Sequence, residues 1–266
     1  MTDLFPPFEP EREPETKRFR AVPLRVLLPN LITLLSLGSG LTAMRLVIEG
    51  HVQSALIAIL IAAVLDALDG RIARLLKGTS RFGAELDSLS DFVSFGVAPA
   101  IILYTVSLHH LKSFGWIVVL LFACASALRL ARFNVMIDDP DRPDWQKNFF
   151  VGIPAPAGAL VLLLPMYVRV LGFDPPDGFV AIEAAFTLFV AFMMVSRIPT
   201  YAGKTLGSRV PRTWVMPLFV AVVAFVAILV TFTFEVLTVC TIFYLLLIPV
   251  GFRRYRLMAL QEPKLP

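Results

Sequence analysis

Four aspartates, Asp66, Asp69, Asp87 and Asp91, stand at spacings of three, eighteen and four inside LDALDGRIARLLKGTSRFGAELDSLSD. Steps of three and four put each pair on one face of a helix, and the short connection between the pairs lets the two faces converge. Three readings compete. A solvated loop suits Lys77, Gly78, Thr79 and Ser80, but it does not suit Asp66 and Asp69, which continue an apolar helical pattern. An ion-pair network with Arg71, Arg74 and Arg81 gives no reason for Gly70 and Gly83, each of which weakens a helix by about 1 kcal/mol relative to alanine. A metal site accounts for more. Carboxylate oxygens suit Mg²⁺, Mn²⁺ or Ca²⁺, and four carboxylates balance the charge of two such ions. Gly70 leaves the backbone open to a phosphate or a further ligand, and Arg74 can reach a phosphate oxygen beside the ions. Metal ions and an arginine around an oxygen-rich substrate are equipment for phosphoryl transfer.

The elements that must hold these residues are membrane helices. The chain has 266 residues, 57% hydrophobic and 17% charged, with a mean hydropathy of +0.77. A soluble domain runs about 45–50% apolar and about 25% charged. Here the excess is gathered into runs of about twenty residues, the length that crosses about 30 Å of hydrocarbon as a helix. The expected fold is all-α, a polytopic transmembrane bundle of about eight spans near 28–48, 53–76, 91–108, 114–134, 153–171, 179–196, 213–233 and 236–252. Residues 1–27 read as a cytoplasmic tail, too acidic and proline-rich for a signal peptide.

Lys and Arg crowd alternate connections, while EGHVQ, SLHHLKS, GFDPPDG and TFE carry almost none. The positive-inside rule then puts both termini and the acidic stretch on the cytoplasmic side. The net charge of +4 is thus a topology signal, with attraction to anionic lipid headgroups second and nucleic-acid binding not expected. Cys124 and Cys240 read as buried packing residues, with no spacing for a disulfide or a metal. His51, His109 and His110 fall on the outer side and take no catalytic role. Glu49, Glu183 and Glu235 look isolated, whereas a metal transporter, the non-enzyme alternative, needs acids spread through the membrane depth.

The pattern Asp66-x2-Asp69-Gly70-x2-Ala73-Arg74-x8-Gly83-x3-Asp87-x3-Asp91 matches every fixed position of the signature of the CDP-alcohol phosphatidyltransferases, and the chain resembles that family. PNLITLLSLGSGLTA, SDFVSFGVAPA, LRLARFN and FFVGIPAPAGA extend the likeness over roughly residues 28–205 and resemble the branch whose acceptor is serine. Residues 206–266, two more spans and a short tail, lie outside the motif core. The resemblance implies a homodimer in the inner membrane, with two Mg²⁺ or Mn²⁺ ions held by Asp66, Asp69, Asp87 and Asp91. It further implies that Asp91 is the general base and that Gly70, Ala73, Arg74 and Gly83 surround the CDP group, with Asn30 and Thr33 as weaker candidates.

The implied reaction moves a phosphatidyl group from CDP-diacylglycerol to the hydroxyl of L-serine, releasing CMP. Acceptors such as glycerol 3-phosphate or an inositol phosphate are the alternative within the family. An amino-acid acceptor needs a cation for its carboxylate, and Arg129, Arg132, Arg197 and Lys204 lie on the expected side. Arg132 and Asn134 of LARFN are the preferred pair, although arginines at helix ends equally serve topology. The prolines of GIPAPAG either open a helix at the interface or shape the acceptor pocket.

Overall fold

The computed structural model describes residues 24–78, 80–137, 149–173, 176, 178–196, 198–201 and 212–261. The chain is helical. It runs α1 (Leu24–Ile48), α2 (Val52–Leu75) and α3 (Arg81–Asp91), which passes through a π-helical segment, Phe92–Val97, into α4 (Ala98–Val106). A 3-10 turn, Leu108–Leu111, leads to α5 (Lys112–Ile137), followed by α6 (Ala155–Leu162), α7 (Leu164–Val170), α8 (Phe179–Val195), α9 (Arg212–Thr231) and α10 (Thr233–Gln261). The only strands among the described residues are β1 (Phe149–Val151) and β2 (Pro199–Tyr201), an antiparallel pair with Phe150 opposite Thr200.

Among the described residues, six helical runs are long and apolar enough to cross a membrane: 25–48, 52–75, 81–106, 108–136, 213–231 and 233–255. The protein is an integral membrane protein. The remaining two expected spans are shorter as built. The segment near 153–171 is two helices of eight and seven residues. Pro165 lies in the first turn of the second, since a proline lacks the N–H that a continuing helix would use. At about 1.5 Å per residue neither piece covers about 30 Å of hydrocarbon. Helix α8 has 17 residues, just under the usual length.

Small residues bring the first helices together. Ser36 Oγ donates to the Ala62 carbonyl at 2.9 Å and Ser39 Oγ to the Ala58 carbonyl at 2.7 Å, tying α1 to α2. From the other side, Ser90 Oγ donates to the Thr33 carbonyl and Ser94 Oγ to the Ser36 carbonyl. Gly40 lets Ser94 approach, since a Cβ there would lie 2.6 Å from Ser94 Oγ. In lipid, helix association relies on such close packing and on interhelical hydrogen bonds of about 0.6 kcal/mol each. Helix α1 is therefore held between α2 and α3, which carry the two aspartate pairs.

The apolar core lies deeper, around Leu56, Ile59, Phe95, Ile102, Phe122, Ile153 and Met166. Helix α9 buries none of its span against the rest of the chain, so its apolar surface faces outward on all sides. Cys124 and Cys240 are free and exposed, which corrects the expectation of burial. A residue in an apolar span can face hydrocarbon instead of protein, and composition does not tell the two apart.

Candidate active site

Asp66 and Asp69 sit near the C-terminal end of α2, and Asp87 and Asp91 on the last two turns of α3. The chain turns between these helices in little space. Lys77 takes a left-handed conformation (φ 50°), and the Gly78 N–H closes on the Ala73 carbonyl at 2.9 Å, a Schellman-type helix end. Gly78 is required there, because a Cβ would meet the Arg25 carbonyl oxygen. Ser80 then caps α3, its Oγ accepting from the Gly83 N–H at 3.0 Å, as N-cap serines do.

This turn brings Asp66, Asp69 and Asp87 together. One carboxylate oxygen from each lies within 4.8 Å of the other two. Asp69 is only 4% exposed, and the Thr33 hydroxyl of α1 donates to its Oδ2 at 2.7 Å. Asp91 stands outside the trio but within side-chain hydrogen-bonding reach of Asp66. No cation of the motif pairs with any of the four. Among the described residues the ion pairs are Arg45–Glu49 and Arg169–Glu183, so a network through Arg71, Arg74 and Arg81 is absent there. Like charges this close, in a partly dry setting, need a counter-ion. An all-oxygen set of three converging carboxylates fits a hard divalent cation.

A cavity of about 420 Å³ opens beside the trio, within the range of small-molecule pockets. Its wall contains Asn30, Thr33, Gly70, Ala73, Arg74 and Gly83, together with Asp69 and Asp87. Pro29, Gly78, Ser80 and Ala84 complete it; of these, only Ser80, a capping type directly before a helical run, had a signal in the sequence. The two motif glycines do different work. A Cβ on Gly83 would press on Asn30 Oδ1 at 2.9 Å, so that glycine lets α1 and α3 meet. A Cβ on Gly70 would have only Arg74 Nη1, at 3.8 Å, nearby. Gly70 keeps cavity space open.

The residues expected to hold an acceptor lie at the same end, on α5. Asn134 Nδ2 donates to Ser88 Oγ of α3 at 2.9 Å. Arg132 donates to the carbonyls of Val195 at 2.7 Å, Ser196 at 3.2 Å and Met194 at 3.3 Å. Those are the free carbonyls at the end of α8, which a cation satisfies well. Gly152 approaches the same carbonyls: its φ is +76°, and a Cβ would lie 2.5 Å from the Met194 oxygen. Pro154, next in GIPAPAG, serves as N-cap of α6. Arg197 and Lys204 lie outside the described residues. Arg129, also on α5, is 6% exposed, with Phe133 packed against its guanidinium at 5.2 Å from the ring centroid.

The far end of the bundle holds a second charged group. Glu183 is 1% exposed. Its Oε1 accepts from Arg169 Nε at 3.2 Å and Nη2 at 2.7 Å, and the Ser107 hydroxyl donates to Oε2. Glu49 pairs with Arg45. Two glutamates that look isolated in the sequence are thus partnered, and only Glu235, exposed in the first turn of α10, stays apart.

Comparison with known proteins agrees with this geometry. Residues 26–195 match the family model described as CDP-alcohol phosphatidyltransferase. Residues 213–249 match a second one, CDP-alcohol phosphatidyltransferase 2, so the likeness reaches α9 and α10. A CDP-diacylglycerol–serine O-phosphatidyltransferase of Mycobacterium leprae is 39% identical over 90% of this chain and 79% of its own length. One from Helicobacter pylori is 31% identical over 83% of this chain and 88% of its own. An archaetidylserine synthase of Methanothermobacter thermautotrophicus is 35% identical over 65% of this chain and 69% of its own. With three of its four signature aspartates converged beside a cavity, and a family match over residues 26–195, the chain belongs to the CDP-alcohol phosphatidyltransferase family.

Proposed function

We propose that the protein transfers the phosphatidyl group of CDP-diacylglycerol to the hydroxyl of L-serine, forming phosphatidylserine and CMP. The observation that carries this reading is the cavity of about 420 Å³ whose wall holds all six CDP candidates and abuts the aspartate trio. The serine specificity is supported by relatives that carry that activity in their names.

Asp66, Asp69 and Asp87, with Asp91 beside Asp66, would hold the divalent ions, Mg²⁺ or Mn²⁺. Bound there, such ions supply Lewis-acid neutralisation of the phosphoryl and leaving-group charge. The chain's own groups do the rest. Gly70 and Ala73 let the flat cytosine and the pyrophosphate lie against α2, Gly83 and Asn30 close the cavity from α3 and α1, and Arg74 meets a phosphate oxygen. Thr33 fixes the rotamer of Asp69. Asp91 accepts the proton of the acceptor hydroxyl, whose oxygen attacks the lipid-bearing phosphorus in line. The bond from that phosphorus to the bridging oxygen breaks, and CMP leaves with the electron pair. A carboxylate next to cations is a weak base, so positioning carries much of the rate.

The positive-inside pattern supports a site facing the cytoplasm with both termini on that side, in the inner membrane. Homodimerisation rests on the family resemblance. A metal transporter is disfavoured by the clustering of unpaired acids at one end, since Glu183 is already neutralised by Arg169. The test is CMP release by purified protein given CDP-diacylglycerol, Mg²⁺ or Mn²⁺, and a panel of alcohols. Serine-dependent release is expected. Release with glycerol 3-phosphate but not serine moves the protein to a sibling activity, and no release with any acceptor contradicts an enzyme.

A further inference from the structure

Arg129 is a buried cation with no anion in direct contact. It is 6% exposed, and among the described residues its guanidinium makes no hydrogen bond or ion pair; the Phe133 ring packs against it. Burying an arginine without partners is costly, so the position needs an explanation that packing does not give.

Its place in the bundle supplies one. Helix α5 runs against α3 and the π-helical segment, and two contacts fix the register. Ser126 packs on Gly96, where a Cβ would lie 2.8 Å from Ser126 Oγ, and Asn134 donates to Ser88. Between those contacts Arg129 comes opposite Asp91, and its charge acts on Asp91 and Asp66. Ser126, one turn away on the same face, also has a buried hydroxyl with no partner. Arg132, by contrast, is committed to the carbonyls that end α8.

We infer that Arg129 binds the α-carboxylate of the amino-acid acceptor, with Arg132 and Asn134 bracing α5 against the end of α8 and against α3. The inference rests on the serine reading above. In serine the hydroxyl and the carboxylate are three bonds apart, so a molecule whose hydroxyl reaches Asp91 presents its carboxylate close by. Two divalent ions would balance four aspartates and leave the guanidinium as the uncompensated charge. A planar fork of N–H donors suits a carboxylate.

The test compares L-serine with L-serinamide, which keeps the hydroxyl and amine but replaces the carboxylate with a neutral amide. Wild-type protein should prefer serine strongly. Arg129→Gln should lower kcat/KM for serine by about 30-fold or more, mostly through KM, while changing serinamide turnover a few-fold at most. Arg129→Lys should recover part of the preference. Equilibrium binding of radiolabelled L-serine to protein loaded with CDP-diacylglycerol should weaken in parallel, and gel filtration and thermal melting of each variant check the fold. An equal fall with both acceptors would overturn the inference, because a structural or countercharge role predicts that result, and so would an unchanged serine KM. Wild-type protein that uses another alcohol and ignores serine would instead sink the serine reading itself, before any variant is made.

Discussion

At one end of the bundle Glu183 and Arg169 lie 2.7 Å apart, with Ser107 completing the carboxylate's partners. At the other end three carboxylates lie within 4.8 Å of one another, and the nearest buried arginine makes no pair with them. Ser107 is sixteen residues past Asp91 along one helical run, about 24 Å at 1.5 Å per residue. Both ends place charge where it is expensive. The far end compensates it within the chain, so it joins α4, α7 and α8 and asks for nothing else. The aspartate end has no ion pair among the described residues and stands open to a cavity, so on the proposed reading the missing positive charge arrives from outside as metal ions. Buried charge marks a binding site when its partner is absent, and a structural joint when its partner is present.

Variants should separate the two ends. Asp91→Asn is expected to lower kcat by about 10³-fold or more, since it removes the proposed base, with expression and membrane insertion unchanged; a CMP-release assay and a membrane fraction blot check both. Glu183→Gln should show the opposite profile. It leaves Arg169 without its anion and is expected to cost about 3 kcal/mol of stability, near the low end for a broken buried pair because Arg169 keeps some exposure. That would read as a lower melting temperature in detergent, with the folded fraction still turning over. A Glu183→Gln protein of normal stability and no activity would erase the contrast.

Smaller changes sharpen the aspartate end. Gly70→Ala should raise KM for CDP-diacylglycerol by about 10-fold, by filling cavity space, while leaving the melting point equal or higher, because alanine favours a helix by about 1 kcal/mol. Loss of stability at that position would mean that Gly70 serves packing. Thr33→Val, which removes the hydroxyl bonded to Asp69, should cost about 1 kcal/mol of binding or turnover. It is checked by the concentration of Mg²⁺ needed for half-maximal rate.

The aspartate end was readable in the sequence because its chemistry depends on residue type at fixed spacing. Asp69, Gly70, Ala73, Arg74, Gly83 and Asp87 meet around one cavity, Asn30 and Thr33 join them from α1, and Asp66 converges on Asp69 and Asp87. The separation of Asp91 from the trio was not readable, since it depends on how α3 is rotated. The π-helical segment that follows Asp91 has no compositional signature. Burial of side chains was the weakest expectation. Cys124 and Cys240 turn outward, and Glu183 found Arg169 across two helices, because hydropathy identifies a span without saying which face meets protein. The same ambiguity hid Arg129 behind Arg132: three residues apart on α5, one faces Asp91 and the other the end of α8.

The central claim is that the uncompensated aspartates form a cation site and the compensated far end does not. Mn²⁺ binding to chelator-treated protein, followed by electron paramagnetic resonance, tests it most directly. Saturable binding is expected in wild-type protein and in Glu183→Gln, with loss in Asp69→Asn. Binding that survives Asp69→Asn, or wild-type protein that shows no saturable binding, would contradict the account.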